Sequence, residues 1–235
     1  MDRLMPQHFV LWAPRDGVGG DFYWLKETKH GYYVAVGDCT GHGVPGAFMT
    51  MLSISHLNQI AERCEEGDPA GILYNLNQSI KATLNQQDQS ELADDGLDIA
   101  LCYVGHEQLI FAGGGSSLFV MDQETGLTVY KGNRASLGYR RTADDYPYTS
   151  TIISRNEGMT IYMLTDGIVD QSGGEKGFSF GKSRFKQFIE AHAALPLDKQ
   201  RELFIAKLSE YQGKEDQRDD MTLLAFRPLL QQRFK

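Results

Sequence analysis

Cysteine is scarce in this sequence: three among 235 residues, Cys39, Cys64 and Cys102. The count is odd, the spacing is wide, and no CxxC pair or zinc pattern occurs, so a disulfide framework and a structural zinc site are not expected. A reduced, cytoplasmic setting fits best. Long apolar runs are lacking too. No stretch of about 18 apolar residues is present to span a membrane. The start, MDRLMPQHFVLW, has no basic region followed by the apolar segment of a signal peptide. Positive charge is in deficit, 23 Lys and Arg against 31 Asp and Glu for a net charge of -8, and a surface of that sign repels nucleic-acid phosphates. No P-loop or dinucleotide fingerprint supports nucleotide specificity. Neither Cys39 nor Cys102 is followed by a phosphate-cradling loop ending in Arg, so a phosphocysteine mechanism is not expected.

What is present is enough apolar material for a substantial core, 41% of the residues, and the chain reads as one domain over 1–235. It is strand-like from His8 with no leading linker, as expected of the C-terminal part of a longer sensor protein. Strands are predicted at Phe22–Glu27 and Tyr32–Gly37, joined by the turn TKHG as a hairpin. Helical spacing follows over Val44–Glu65, with Pro45 near the first turn, and over Pro69–Gln86. The polar segment QQDQSELADDG separates these from strands at Leu97–Val104, Gln108–Ala112, Ser117–Asp122, Leu127–Tyr130, Thr149–Ser154 and Thr160–Thr165. Short turns between several of them favour antiparallel pairing. Two further helices, Lys182–Ala194 and Leu197–Gln212, precede a last strand, Met221–Arg227. This order does not alternate as a doubly wound fold does. It predicts an α+β fold, a four-layer α/β/β/α sandwich of two antiparallel sheets flanked by helix pairs.

Acidic residues stand at strand ends or in glycine-rich loops: Asp21 in VGGDFYW, Asp38 in VAVGDCTGHGVPGA, Asp166 in IYMLTDGIVD, and Asp219 and Asp220 in EDQRDDMTLLAF. A short side chain at the end of a rigid strand suits a fixed ligand, and hard divalent cations such as Mg²⁺ and Mn²⁺ take oxygen ligands. Singly, an Asp after a strand is more often a turn former or helix cap. Together, in this order, they are hard to read as coincidental turns. His42, within GHG, is either a general acid for a leaving oxygen or a local hydrogen-bonding residue. Arg15 and Arg218 stand beside acidic segments, where each would bind substrate phosphate or pair with the carboxylates.

The succession GGDFYW, GDCTGHGVPGAFMTM, ASLGY, LTDGIVDQ and QRDDMTL resembles the bacterial SpoIIE/RsbU branch of the PPM (type 2C) protein phosphatases, from about Pro14 to Arg227, with wording most like its SiaA-type regulators. The resemblance implies a metal-dependent serine/threonine phosphatase with two divalent cations, Mn²⁺ or Mg²⁺, in a cleft at one end of the sheets and a water they activate. Carried over by motif, Asp38 would bridge both cations and the Cys39 carbonyl would complete one coordination shell. Asp21, Asp166 and Asp219 would hold the second cation, with Asp220 the less secure half of its pair. The implied partner is a phosphorylated STAS-like (anti-anti-sigma-like) regulatory protein, under an upstream region that includes a sensor, membrane-anchored or not. Oligomeric state is left open, a homodimer included. Two departures from the branch pattern, Trp24 in place of an Asp and Gly114 in place of the His of AGH, put the substrate-facing surface in question.

Two other readings compete. A pseudophosphatase that docks a partner without chemistry has no reason to gather repelling carboxylates. A two-metal hydrolase of small phosphoesters or nucleotides lacks a nucleotide motif.

Overall fold

A computed structural model of the chain describes residues 1–86 and 94–229. Most of the predicted polar segment QQDQSELADDG lies outside the described residues. In chain order, β1 (His8–Ala13), β2 (Asp21–Glu27) and β3 (Tyr32–Cys39) precede the helices α1 (Gly43–Ala61) and α2 (Pro69–Thr83). Then come β4 (Leu97–Val104), β5 (Gln108–Gly114), β6 (Ser117–Asp122), β7 (Gly126–Lys131), β8 (Ser150–Ser154) and β9 (Thr160–Leu164). A short helix α3 (Asp166–Asp170) and a hairpin of β10 (Ser172–Gly173) and β11 (Phe178–Ser179) follow. The helices α4 (Gly181–His192) and α5 (Leu197–Gln212) and the strand β12 (Met221–Phe226) complete the fold.

Two five-stranded antiparallel sheets result, ordered β2-β3-β4-β5-β8 and β1-β12-β9-β6-β7. Side chains alternate along a strand, and β3 shows where the layers come from. Its Val34 and Val36 enter the core between the sheets with Cys102, Phe111, Leu118, Ile161, Met163 and Leu224. Its Tyr33 and Ala35 face the other way, under Leu57, Ile72, Leu76 and Ile80 of α1 and α2. Both faces are therefore buried, so the strand reads as a continuous apolar run. On the opposite side, Phe119, Tyr162 and Leu223 of the second sheet pack against Phe185, Phe188 and Phe204 of α4 and α5. The Phe119 and Phe185 rings meet edge to face at 5.2 Å. The expected four-layer α/β/β/α sandwich is the observed architecture.

Boundaries differ where local chemistry decides. The helix α1 stops at Ala61 rather than Glu65, and α2 starts where Asp68 accepts the Gly71 N–H at 2.9 Å with Pro69 in the first turn. Among the described residues no helix is long and apolar enough to cross a membrane.

Candidate metal centre

Strand pairing brings the acidic residues to one end of the sandwich. Asp21 opens β2 and is the direct partner of Asp38, which in turn is the direct partner of Asp98 at the start of β4. Directly paired residues project from the same face, and by parity with Val36 and Ala100 this row points into the gap between the sheets. From the other sheet, Asp166 leaves the end of β9 as the first residue of α3, and Asp219 and Asp220 precede β12. Asp38 and Asp166 act on each other across the gap between the sheets. A polar cleft of about 200 Å³ is lined by Asp38, Cys39, Thr40, Gly41, Asp98, Ser136, Tyr139, Arg141, Asp166 and Asp219.

Thr165 couples the two halves. Its hydroxyl donates to Asp21 Oδ2 at 2.7 Å and accepts the Thr222 N–H at 2.9 Å. Asp21 is only 2% exposed. Burial, first, raises its pKa well above the ordinary carboxylate value, offset by the Thr165 hydroxyl that donates to it. Asp38 is raised further, again first by burial and then by the carboxylates of Asp21 and Asp166. Burial also raises Asp166 and Asp98. The strongest charges acting on Asp38 are thus other acids. No basic side chain is among the groups that act most on Asp21, Asp38 and Asp166, whereas Asp98 has Arg141 and Lys182, and a hard-oxygen donor set of this kind suits Mg²⁺ or Mn²⁺. Among the described residues no group of three or more His, Cys, Asp or Glu side chains is arranged to hold a metal ion. Such cations keep several waters and need few protein ligands.

Backbone carbonyls reach the same place because Gly20 has no side chain. A Cβ there would stand 2.5 Å from the Gly41 carbonyl oxygen and 2.6 Å from that of Cys39. The Thr50 hydroxyl of α1 holds the Gly20 carbonyl at 2.8 Å. The Cys39 thiol points away, 3.6 Å from Ser53 Oγ, and burial pushes its pKa up to about 12.

Three expected site residues are engaged elsewhere. Asp220 accepts the Arg15 N–H on one oxygen and the Gly20 N–H on the other, both at 2.7 Å. It pins the Arg15–Gly20 loop. His42 Nδ1 donates to Asp16 Oδ2 at 2.5 Å on the exposed side of the loop. Arg15 donates from Nη1 to the Arg218 carbonyl at 3.0 Å and lies 3.9 Å from Asp16, so its guanidinium clasps the loop. Both family departures are buried. Trp24 is buried under α1, donating to Asn58 Oδ1 at 3.0 Å. At position 114 a Cβ would overlap Leu137 Cδ1, which fills the space a longer side chain would need.

Sequence reasoning does not single out Asp98, Thr165 or Arg141. The first was accessible in principle, because pairing LDIALCYV with YYVAVGDC places two acids side by side. Thr165 had the weak signal of its position before Asp166, and Arg141 had none.

The family model for Stage II sporulation protein E (SpoIIE) matches residues 28–228. The chain belongs to the SpoIIE family. It is a PP2C-type (PPM) serine/threonine phosphatase domain of the kind found in partner-switching regulators. The SiaA-PP2C domain of Pseudomonas aeruginosa is 42% identical, with a TM-score of 0.84 over 94% of this chain and 85% of that one. The PP2C phosphatase domain of SpoIIE from Bacillus subtilis, with a fragment of its regulatory domain, is 19% identical, with a TM-score of 0.71 over 94% of this chain and 62% of that one. At 14% identity and a TM-score of 0.64, the catalytic domain of the serine/threonine phosphatase PstP, in complex with 2 manganese ions, shares the fold over 94% of this chain and 97% of that one. Comparison with curated protein sequences gave no match.

Proposed function

We propose that this SpoIIE-family domain is a two-metal phosphoprotein phosphatase that hydrolyses phosphoserine or phosphothreonine on a STAS-like regulatory protein. The observation that carries the reading is the row Asp21, Asp38 and Asp98 on adjacent strands, met across the gap by Asp166. Like charges on directly paired strand positions are destabilising, and a divalent cation converts that repulsion into ligation. Asp21, Asp38, Asp166 and Asp219, with the Cys39 carbonyl, are the residues that would hold Mn²⁺ or Mg²⁺. When bound, two such cations supply a water of lowered pKa and neutralise charge on the transferring phosphoryl group.

The protein's own residues do the positioning. Thr165 fixes the Asp21 carboxylate, Gly20 leaves room for the Cys39 and Gly41 carbonyls, and Thr50 holds the Gly20 carbonyl beside them. No side-chain nucleophile is required, in keeping with the buried, inert Cys39 thiol. Membership among partner-switching phosphatases supports the STAS-like substrate.

The test is hydrolysis of p-nitrophenyl phosphate and then of a phosphorylated STAS-like protein, with Mn²⁺ or Mg²⁺ and with EDTA, by the parent and by Asp38→Ala. Metal-dependent turnover that disappears in the variant is the expected result. With metal bound, absence of turnover on every ester and phosphoprotein would leave a docking module instead.

A further inference from the structure

We propose that Arg141, seated on Tyr139, anchors the phosphate group of the substrate. The inference rests on the phosphatase reading above and names the residue that receives the phosphomonoester dianion. Among the residues lining the cleft with Asp38, Asp166 and Asp219, Arg141 is the one cation. Of the two arginines that the sequence nominates, Arg15 donates to the Arg218 carbonyl, and neither lines this cleft.

Arg141 is exposed to the cleft mouth, yet the backbone beneath it is held on both sides. Gly138 N–H donates to Asn77 Oδ1 at 2.9 Å, and Leu137 exchanges both backbone hydrogen bonds with Leu97 at the start of β4. Beyond it, the Thr142 hydroxyl donates to the Ser136 carbonyl at 2.7 Å, and the buried Lys81 ammonium donates to the Thr142 carbonyl at 2.5 Å. The guanidinium stacks 4.9 Å from the Tyr139 ring centroid, a geometry that holds a planar cation without consuming its hydrogen-bond donors. The Tyr139 hydroxyl lies 2.8 Å from Thr40 Oγ1, within the loop that carries Asp38. Arg141 is therefore registered against the metal loop through one aromatic side chain. Among the described residues Arg141 closes no ion pair, and the carboxylate it acts on, Asp98, lines the same cleft. An uncommitted guanidinium on a rigid support suits bidentate binding of phosphate oxygens.

The decisive experiment titrates inorganic phosphate into the Mg²⁺-loaded protein, followed by calorimetry, alongside steady-state p-nitrophenyl phosphate hydrolysis. Arg141→Ala should weaken phosphate binding and raise KM roughly 10- to 100-fold, as loss of a charged hydrogen-bond pair does. Arg141→Lys should recover part of the loss, and Mg²⁺ affinity should stay at the parent value in both variants. Phosphate affinity within about twofold of the parent in Arg141→Ala overturns the assignment, even where turnover of a phosphoprotein falls. So does a parent that takes up Mg²⁺ but no phosphate. Should the parent bind phosphate without turning over any ester, the phosphatase reading fails and the phosphate titration still decides the role of Arg141.

Discussion

Thr165 Oγ1 donates to Asp21 Oδ2 at 2.7 Å while accepting the Thr222 N–H, so one hydroxyl joins the end of β9, the start of β12 and the start of β2. All three partners are buried. Replacing Thr165 with Val keeps the shape and removes both hydrogen bonds, leaving a buried amide without a partner and a carboxyl group free to turn. The expected loss is about 1.5–3 kcal/mol, read as a fall of roughly 3–10 °C in Tm for a chain of this size. Mn²⁺ affinity should drop by about 10- to 100-fold, the usual penalty for removing a group that orients a ligand. A Thr165→Val protein with the parent's melting curve and the parent's Mn²⁺ isotherm would rule out this coupling.

The metal-free protein should become less stable as pH rises. Asp21 has a folded-state pKa raised from 3.8 to about 7, and Asp38 is raised further, chiefly by burial. Between those values the folded chain holds protons that the unfolded chain has released. Stability then falls with pH by up to about 1.4 kcal/mol per unit for each such carboxyl group. In EDTA, Tm should therefore decline from pH 5 to pH 7. With Mn²⁺ present the slope should reverse, because binding requires the ionised carboxylates and stabilises only the folded form. Thermal melts across this range, with and without metal, supply the check; a Tm in EDTA that climbs towards neutral pH would contradict it.

The architecture was largely legible in the sequence because its strands and helices each bury a face, and burial leaves a period. Elements too short to show one were not visible: α3 has five residues, and β10 and β11 have two each. Asp21, Asp38, Asp166 and Asp219 were recognisable from their motifs. Asp98 was hidden because a single acid at the head of an apolar strand looks like an ordinary half-exposed position. Only the register against β3 puts it beside Asp38. Arg141 was hidden for a different reason: its place in the cleft depends on the fold of the loop after β7, pinned from α2 and β4 by contacts of long sequence separation. Trp24 misled in the opposite direction, since a motif position says nothing about which face of β2 it occupies.

Adjacent acids in the same cluster should respond to mutation with opposite signs. Asp38 in the metal-free protein, buried among acids, folds only by taking up a proton that the unfolded chain has released, so Asp38→Asn removes that cost and should raise Tm in EDTA at neutral pH, by an amount corresponding to about 1–2 kcal/mol. Asp220, 3% exposed, is also buried, but both of its oxygens receive backbone N–H groups. Its repulsion on Asp21 ranks below burial and the Thr165 hydrogen bond, whereas each charged hydrogen bond it makes is worth about 1.5–3 kcal/mol. The hydrogen bonds win, so Asp220→Ala should lower Tm in EDTA. Its effect on Mn²⁺ binding should come only through the loosened loop and be smaller than that of Asp219→Ala. The comparison needs melting curves of the variants in EDTA and Mn²⁺ calorimetry on each. A rise in Tm for Asp220→Ala, matching that of Asp38→Asn, would place Asp220 among the mutually repelling ligands and undo its role as the pin of the loop.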